Sequence, residues 1–334
     1  MKLPAIIISD PHFTASPADE YRWALWPWLA GEIEAEKAKT LLILGDLTDA
    51  KDYHSAELVN RLVAAIAAVP VEEIIILAGN HDWLKQGGVF FEFLKHISKP
   101  RIRVITKPAE DVVDPKDPAC LFLPYTKSPA RDWQDYHDFS HYDYVFLHQT
   151  APGSVASNGQ RMDGEEIPDL STAAKVYSGD IHVPQKIGPI EYVGSPYHVH
   201  FGDDFKARCI VLDRKRQAYD LHFPAPARRA VTIASVEELE QSRIAAGDQV
   251  KITIQLDAAD AHTWNKARRD CLARVRAMGA HAFGIKLALV KSGERLEQIR
   301  QHKAPSPADA VYRFVTSLEL GGDILDAALE IIER

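Results

Sequence analysis

The chain has 334 residues, 46% of them hydrophobic and 26% charged, with a net charge of −8. That composition fits a globular protein with a sizeable core and, on length, about two domains. It argues against a chain that binds nucleic acid over its whole surface. Cys120, Cys209 and Cys271 are far apart and odd in number, which speaks against a disulfide framework or a cysteine zinc site. No apolar run approaches the ~20 residues that span a bilayer, and no secretory leader is visible. A cytoplasmic location, away from membranes, is therefore expected.

The first apolar run, Ala5-Ile6-Ile7-Ile8, leads into Asp10-Pro11-His12. Asp19 to Lys39 then has helical spacing, with Trp23, Trp26, Leu29 and Ile33 on one side. Leu41-Leu42-Ile43-Leu44 leads into Gly45-Asp46-Leu47-Thr48-Asp49, and a second helical pattern runs from Ala56 to Val69. Ile74-Ile75-Ile76-Leu77 leads into Gly79-Asn80-His81-Asp82, with a shorter helix near Val89 to His96. Short strands dominate after Arg101. Tyr144-Val145-Phe146-Leu147 leads into His148, and Lys175-Val176-Tyr177-Ser178 into Gly179-Asp180-Ile181-His182. A long loop, 151–172, separates these last two. Strand–helix alternation followed by a strand-rich stretch predicts an α/β protein with helices covering two packed sheets.

Proline-rich Phe223-Pro224-Ala225-Pro226 and the residues up to Arg229 read as a linker. Beyond it, the strand Gln249 to Leu256, the helix His262 to Met278 and the strand Ala282 to Val290 form a small α/β layer. Residues 262–303 carry 10 Lys and Arg against 3 Asp and Glu. Lys266, Arg269, Arg274 and Arg276 fall on the helix face opposite Trp264, Cys271 and Val275. Ser306 to Glu333 reads as helical, broken at Gly321-Gly322. It is read either as packing on the small layer or as a docking element.

Each of the five polar clusters ends an apolar strand. Carboxylate, amide and imidazole groups at adjacent strand ends can meet at one point. These are ligands for a borderline divalent cation such as Mn²⁺, Fe²⁺ or Zn²⁺.

The five clusters, in this order over residues 5–183, resemble the calcineurin-like metallophosphoesterases. The resemblance implies a four-layer sandwich, two mixed sheets flanked by helices, and two divalent cations. It implies Asp10, His12, Asp46 and His182 as ligands of one cation. It implies Asp46, Asn80, His148 and position 180 for the second, with Asp46 bridging. His81 would stand beside the phosphate and serve the leaving oxygen. Asp49 or Asp82 would orient imidazoles. The family usually carries Gly-His-x-His where this chain has Gly179-Asp180-Ile181-His182. Asp180 is taken as a ligand, or else as a contact to a bound water. As a hard anionic donor it favours Mn²⁺ or Mg²⁺, with Fe²⁺ next.

Val183-Pro184-Gln185, Gly194-Ser195-Pro196 and Phe201-Gly202-Asp203 further resemble the SbcD-type DNA repair nucleases. That resemblance implies a phosphoesterase domain over 1–225 and a DNA-binding cap over 226–334. It also implies DNA exonuclease and endonuclease activity, an SbcC-type coiled-coil ATPase partner and a homodimer. Lys266, Arg269 and Arg276 are the candidate DNA contacts. His198, His200, Tyr125 and Tyr197 are candidates for substrate contact near the site. A small-molecule phosphodiesterase or phosphatase, such as one acting on cyclic nucleotides, is the alternative, and a scaffold for an ATPase is a third reading.

Overall fold

The first four strands are β1 (Ala5–Ile8), β2 (Thr40–Leu44), β3 (Glu73–Leu77) and β4 (Arg101–Ile105), side by side and parallel. The computed structural model describes residues 1–111 and 116–290. The expected helices from Ser306 to Glu333 lie outside the described residues, as does the end of the basic segment. Further along come β5 (Ala109–Asp111), β6 (Cys120–Leu123), β7 (Tyr144–His148), β8 (Val176–Gly179), β9 (Gln185–Ile187) and β10 (Ile190–Tyr192). The remaining strands are β11 (Cys209–Leu212), β12 (Ala218–Leu221), β13 (Arg228–Ile233), β14 (Gln249–Asp257) and β15 (His281–Val290).

They form two six-stranded mixed sheets, ordered β12-β11-β1-β2-β3-β4 and β5-β6-β7-β8-β10-β9, and a parallel β13-β14-β15 sheet. Buried on both faces, β1, β2 and β3 read as continuous apolar runs rather than alternating ones. Their alternate residues still part to opposite sides. Ala5, Ile7, Leu42 and Leu44 pack against Phe122, Phe146 and Tyr177 between the two large sheets. Ile6, Ile8, Leu41 and Ile43 face helices Leu25–Glu36 and Ala56–Ala67. In the second of these, Ser55 caps the start by accepting from Leu58 N at 3.2 Å, and Leu58, Leu62 and Ile66 form its buried stripe. The outer face of the second sheet is covered by Trp133, Phe139 and Tyr142, which follow the single helical turn Pro129–Asp132.

The expected linker overlaps a strand: Arg228 and Arg229 open β13. Two prolines just upstream and two charges at the strand's start masked it. Arg228 is buried and ties the third sheet to the rest. It is paired with Asp19, donates to Val199 O at 2.8 Å and to Gln249 Oε1 at 3.0 Å, and lies over the rings of Tyr21 and Phe201. A buried guanidinium is tolerated when its donors are satisfied in this way. The helix Trp264–Ala277 buries Cys271 and Val275 against this sheet. Each of the three cysteines is a buried residue of a different core. No helix among the described residues is long and apolar enough to cross a membrane.

Candidate metal centre

β1, β2 and β3 run parallel to one another in the first sheet, as do β7 and β8 in the second, so the clusters that follow or end them collect at one edge. There the chain leaves its usual conformations. Among the described residues, six non-glycine residues have positive φ, and four are Asp10 (50°), His12 (43°), Asp46 (54°) and Asp180 (82°). Side chains rarely adopt this left-handed region, and such outliers cluster at functional sites.

Three glycines let the strand ends approach. A Cβ on Gly79 would sit 2.5 Å from Asp46 N, and one on Gly179 would sit 2.5 Å from Ser9 Oγ. A Cβ on Gly45 would overlap His148 Nδ1. Side chains then fix the loops. The Asp82 carboxylate accepts from the backbone N–H groups of Gly79, Asp46 and Leu47 at 2.7, 2.9 and 3.1 Å. Asp82 therefore organises backbone; the expectation that it orients an imidazole is replaced by this role. Ser195 Oγ donates to Asp10 O at 3.1 Å, and the Tyr197 hydroxyl donates to Pro11 O. Tyr197 is buried, so it braces the first cluster and is not a stacking group for a ligand.

The chain brings the expected donors together. Ligand atoms of Asp10, His12 and His182 lie within 4.8 Å of one another, as do those of Asp10, Asp46 and His148, and those of His12, Asp49 and His81. His12 Nε2 and His182 Nε2 face each other at 3.0 Å. Asp46 points its two oxygens in different directions. Oδ2 is 3.5 Å from His12 Nε2, and Oδ1 is 3.5 Å from His148 Nε2. Asp180 Oδ1 is 3.7 Å from His148 Nε2, while its Oδ2 accepts from the Thr150 hydroxyl. The backbone N–H of Asp180 donates to Asp10 Oδ1 at 3.1 Å.

The tautomers follow from the partners. His148 Nδ1 lies 2.7 Å from Leu44 O, and a carbonyl only accepts, so Nδ1 carries the proton and Nε2 a lone pair. The same reasoning protonates His81 Nδ1, which lies 2.7 Å from Asp49 O. Asp49 thus holds the His81 ring through its backbone. Its exposed carboxylate instead lies 3.5 Å from His12 Nδ1.

A cation fits this donor set. His148 Nε2 and Asn80 Oδ1 are both buried without a hydrogen-bond partner, which is costly unless something electropositive meets them. Burial pushes the Asp10 carboxyl up to about 8, opposed by His148 and assisted by Asp46. Burial and then Asp82 push Asp46 well above the usual carboxylate range. Burial and then the neighbouring His182 and His81 drive His12 well down, and burial with His200 lowers His182 to about 4. Neutral imidazoles beside crowded carboxylates are the form a divalent cation binds.

Lys266, Arg269 and Arg276 stand exposed on the helix Trp264–Ala277, outside this cluster, and Lys266 is paired with Asp270 at 2.9 Å. His200 stacks on His182, ring centroids 5.4 Å apart, whereas His198 is engaged by Phe205 O and Arg228 N. The hydroxyls of Ser9 and Thr150, on Asp10 and Asp180, carried no signal in the sequence. Each adjoins a cluster residue in sequence or strand register, and adjacency is too common to single them out.

Two packed mixed sheets with carboxylate, amide and imidazole donors on one edge define a metal-dependent phosphoester hydrolase. The chain belongs to the calcineurin-like phosphoesterase family, which it matches over residues 3–184. Members of that family use two divalent cations. No curated protein matches the sequence at a significant level.

Proposed function

We propose that the chain is a metal-dependent DNA exonuclease and endonuclease, the nuclease subunit of a double-strand-break repair or recombination complex. The observation that carries this reading is the junction at Phe201. Its ring sits between Arg228, Lys251 and Phe283 of the third sheet, with Lys251 Nζ 4.3 Å from the ring centroid. Phe201 immediately follows His200, which stacks on His182. The metal centre is thus joined by a few residues to a module with Arg268, Arg269 and Arg276 exposed on one helix. Basic side chains bind a phosphate backbone by displacing its counterions. The likeness to SbcD-type nucleases supports the same reading. With it come the cap as a domain beginning near residue 226, an SbcC-type ATPase partner, a homodimer and action in the cytoplasm.

Asp10, His12, Asp46 and His182 would hold one cation, and Asp46, Asn80, His148 and Asp180 the second; Mn²⁺ suits this oxygen-rich set. When bound, the pair supplies positive charge to the phosphoryl oxygens and acidifies an attacking water. Asp46 would serve both positions, since its two oxygens face different imidazoles. Leu44 O holds His148 in the tautomer that presents Nε2. His81 is fixed at Nδ1 by Asp49 O, so its Nε2 is the atom that would give a proton to the leaving oxygen, which it does only from the imidazolium form.

The test is incubation of the purified protein with Mn²⁺ and end-labelled linear duplex DNA, beside His81→Ala and a cyclic nucleotide. Metal-dependent shortening of the DNA, lost in His81→Ala, is the expected result. Intact DNA with turnover of the cyclic nucleotide overturns the nuclease reading in favour of a small-molecule phosphodiesterase.

A further inference from the structure

A cavity of about 570 Å³ opens beside the metal centre, lined among others by Trp83, Tyr125, Lys107 and Lys127. Such a volume suits one small organic ligand. Tyr125 is clamped between two clusters of the centre. Its backbone N–H donates to Ala78 O at 2.9 Å, just before Gly79-Asn80, and the next residue, Thr126, donates its N–H to Gln149 Oε1 at 3.4 Å, beside His148. The Tyr125 ring stands edge-on to the His148 ring, centroids 6.3 Å apart. Trp83 directly follows Asp82. The aromatic walls are therefore set by the same backbone that sets the ligands.

The charge around them is one-sided. Four cations line the cavity, Lys85, Lys107, Lys127 and Arg131, against one acid, Asp132. Lys85 and Arg131 are paired with Asp52 and Asp132. Lys107 and Lys127 are exposed. An aromatic surface stacks a base whatever its identity, and flanking cations meet the phosphates on either side of it.

We infer that this cavity is a nucleoside subsite, holding the base and sugar attached to the phosphate at the metal centre. It rests on the phosphodiester reading and assigns the residues that hold the nucleoside next to the reacting phosphate. Tyr125 supplies the stacking face, and Lys107 and Lys127 contact the neighbouring phosphate.

The test measures equilibrium binding of deoxyadenosine 5′-monophosphate and of deoxyribose 5-phosphate by calorimetry. It uses the full chain with Mn²⁺ and its Tyr125→Ala, Tyr125→Phe and Lys127→Ala variants. Stacking on this scale predicts that the nucleotide binds at least about fivefold tighter than the sugar phosphate. Tyr125→Ala removes that difference and Tyr125→Phe keeps it, while Lys127→Ala weakens a dinucleotide more than the mononucleotide. Equal affinity for the two ligands in the wild-type chain, no binding of either, or a difference that survives Tyr125→Ala overturns the subsite. Turnover of bis(p-nitrophenyl) phosphate, which has no nucleoside, is read separately. Its absence alongside an intact binding difference sinks the hydrolase reading and leaves the subsite standing. A tetranucleotide that binds tighter than the mononucleotide assigns the subsite to a strand, and equal affinity assigns it to a free nucleotide.

Discussion

The carboxylate of Asp82 receives the backbone N–H of Asp46 at 2.9 Å, and through Gly79 and Leu47 it also closes the two loops on either side. One buried side chain therefore fixes where Asp46 and the Asn80 turn stand relative to each other.

Asp82→Ala leaves three buried N–H groups without an acceptor. At about 1–3 kcal/mol for each unsatisfied group, the loss of stability is on the order of 3 kcal/mol or more. Urea denaturation measures it, and an unchanged midpoint would show that the loops hold without the clamp.

Gly79→Ala places a methyl group 2.5 Å from Asp46 N. The His148 ring, 2.7 Å from the same methyl, closes the other side, so Asp46 moves. A displacement of about 1 Å at a reacting centre costs roughly 100-fold in rate. Hydrolysis of bis(p-nitrophenyl) phosphate by the purified variant reports the effect, with circular dichroism to show that the fold survives. Wild-type turnover would place the bridging role elsewhere.

Cation binding depends on pH with a defined sign. The folded state raises the Asp10 carboxyl to about 8, against about 3.9 in an unfolded chain. Between those values the folded metal-free protein holds the extra proton, so its stability falls as pH rises. A cation must displace that proton, and Asp46 adds in the same direction. His12 and His182 are already neutral from pH 6 upward. The rise in melting temperature on adding Mn²⁺ is therefore expected to grow from pH 6 to pH 8. A constant rise would mean the carboxylates are ionised throughout.

Phe201→Ala empties the contact among Arg228, Lys251 and Phe283. Cleavage of duplex DNA is expected to fall about tenfold, equivalent to roughly 1.4 kcal/mol, while hydrolysis of bis(p-nitrophenyl) phosphate stays within about twofold. Equal losses on both substrates would make Phe201 a general stability residue.

The metal centre was legible because its donors follow apolar runs such as Leu41–Leu44 and Ile74–Leu77, whose burial and strand character are local properties. The partners of Asp82 were not. A sequence displays the carboxylate but not which N–H groups a turn aims at it. β12 escaped notice because Ala218–Leu221 is an edge strand with little burial. β13 escaped because its charged first residue, Arg228, is buried by tertiary pairing with Asp19. The loop position of Tyr197 likewise says nothing of the carbonyl of Pro11 behind it. The Trp83–Tyr125 cavity joins segments over 40 residues apart, a distance that no local pattern spans.

The left-handed backbone at Asp10, His12, Asp46 and Asp180 bears on any effort to harden this protein. Each such residue costs about 1–3 kcal/mol. Glycine at any of the four would relax the chain, and at the three aspartates asparagine tolerates the same region while removing a charge that burial penalises. Glycine deletes the donor, and asparagine leaves one neutral oxygen where a carboxylate stood. Selection for heat resistance alone, applied to a library without added cation, will therefore drift toward inert sequences at these four positions.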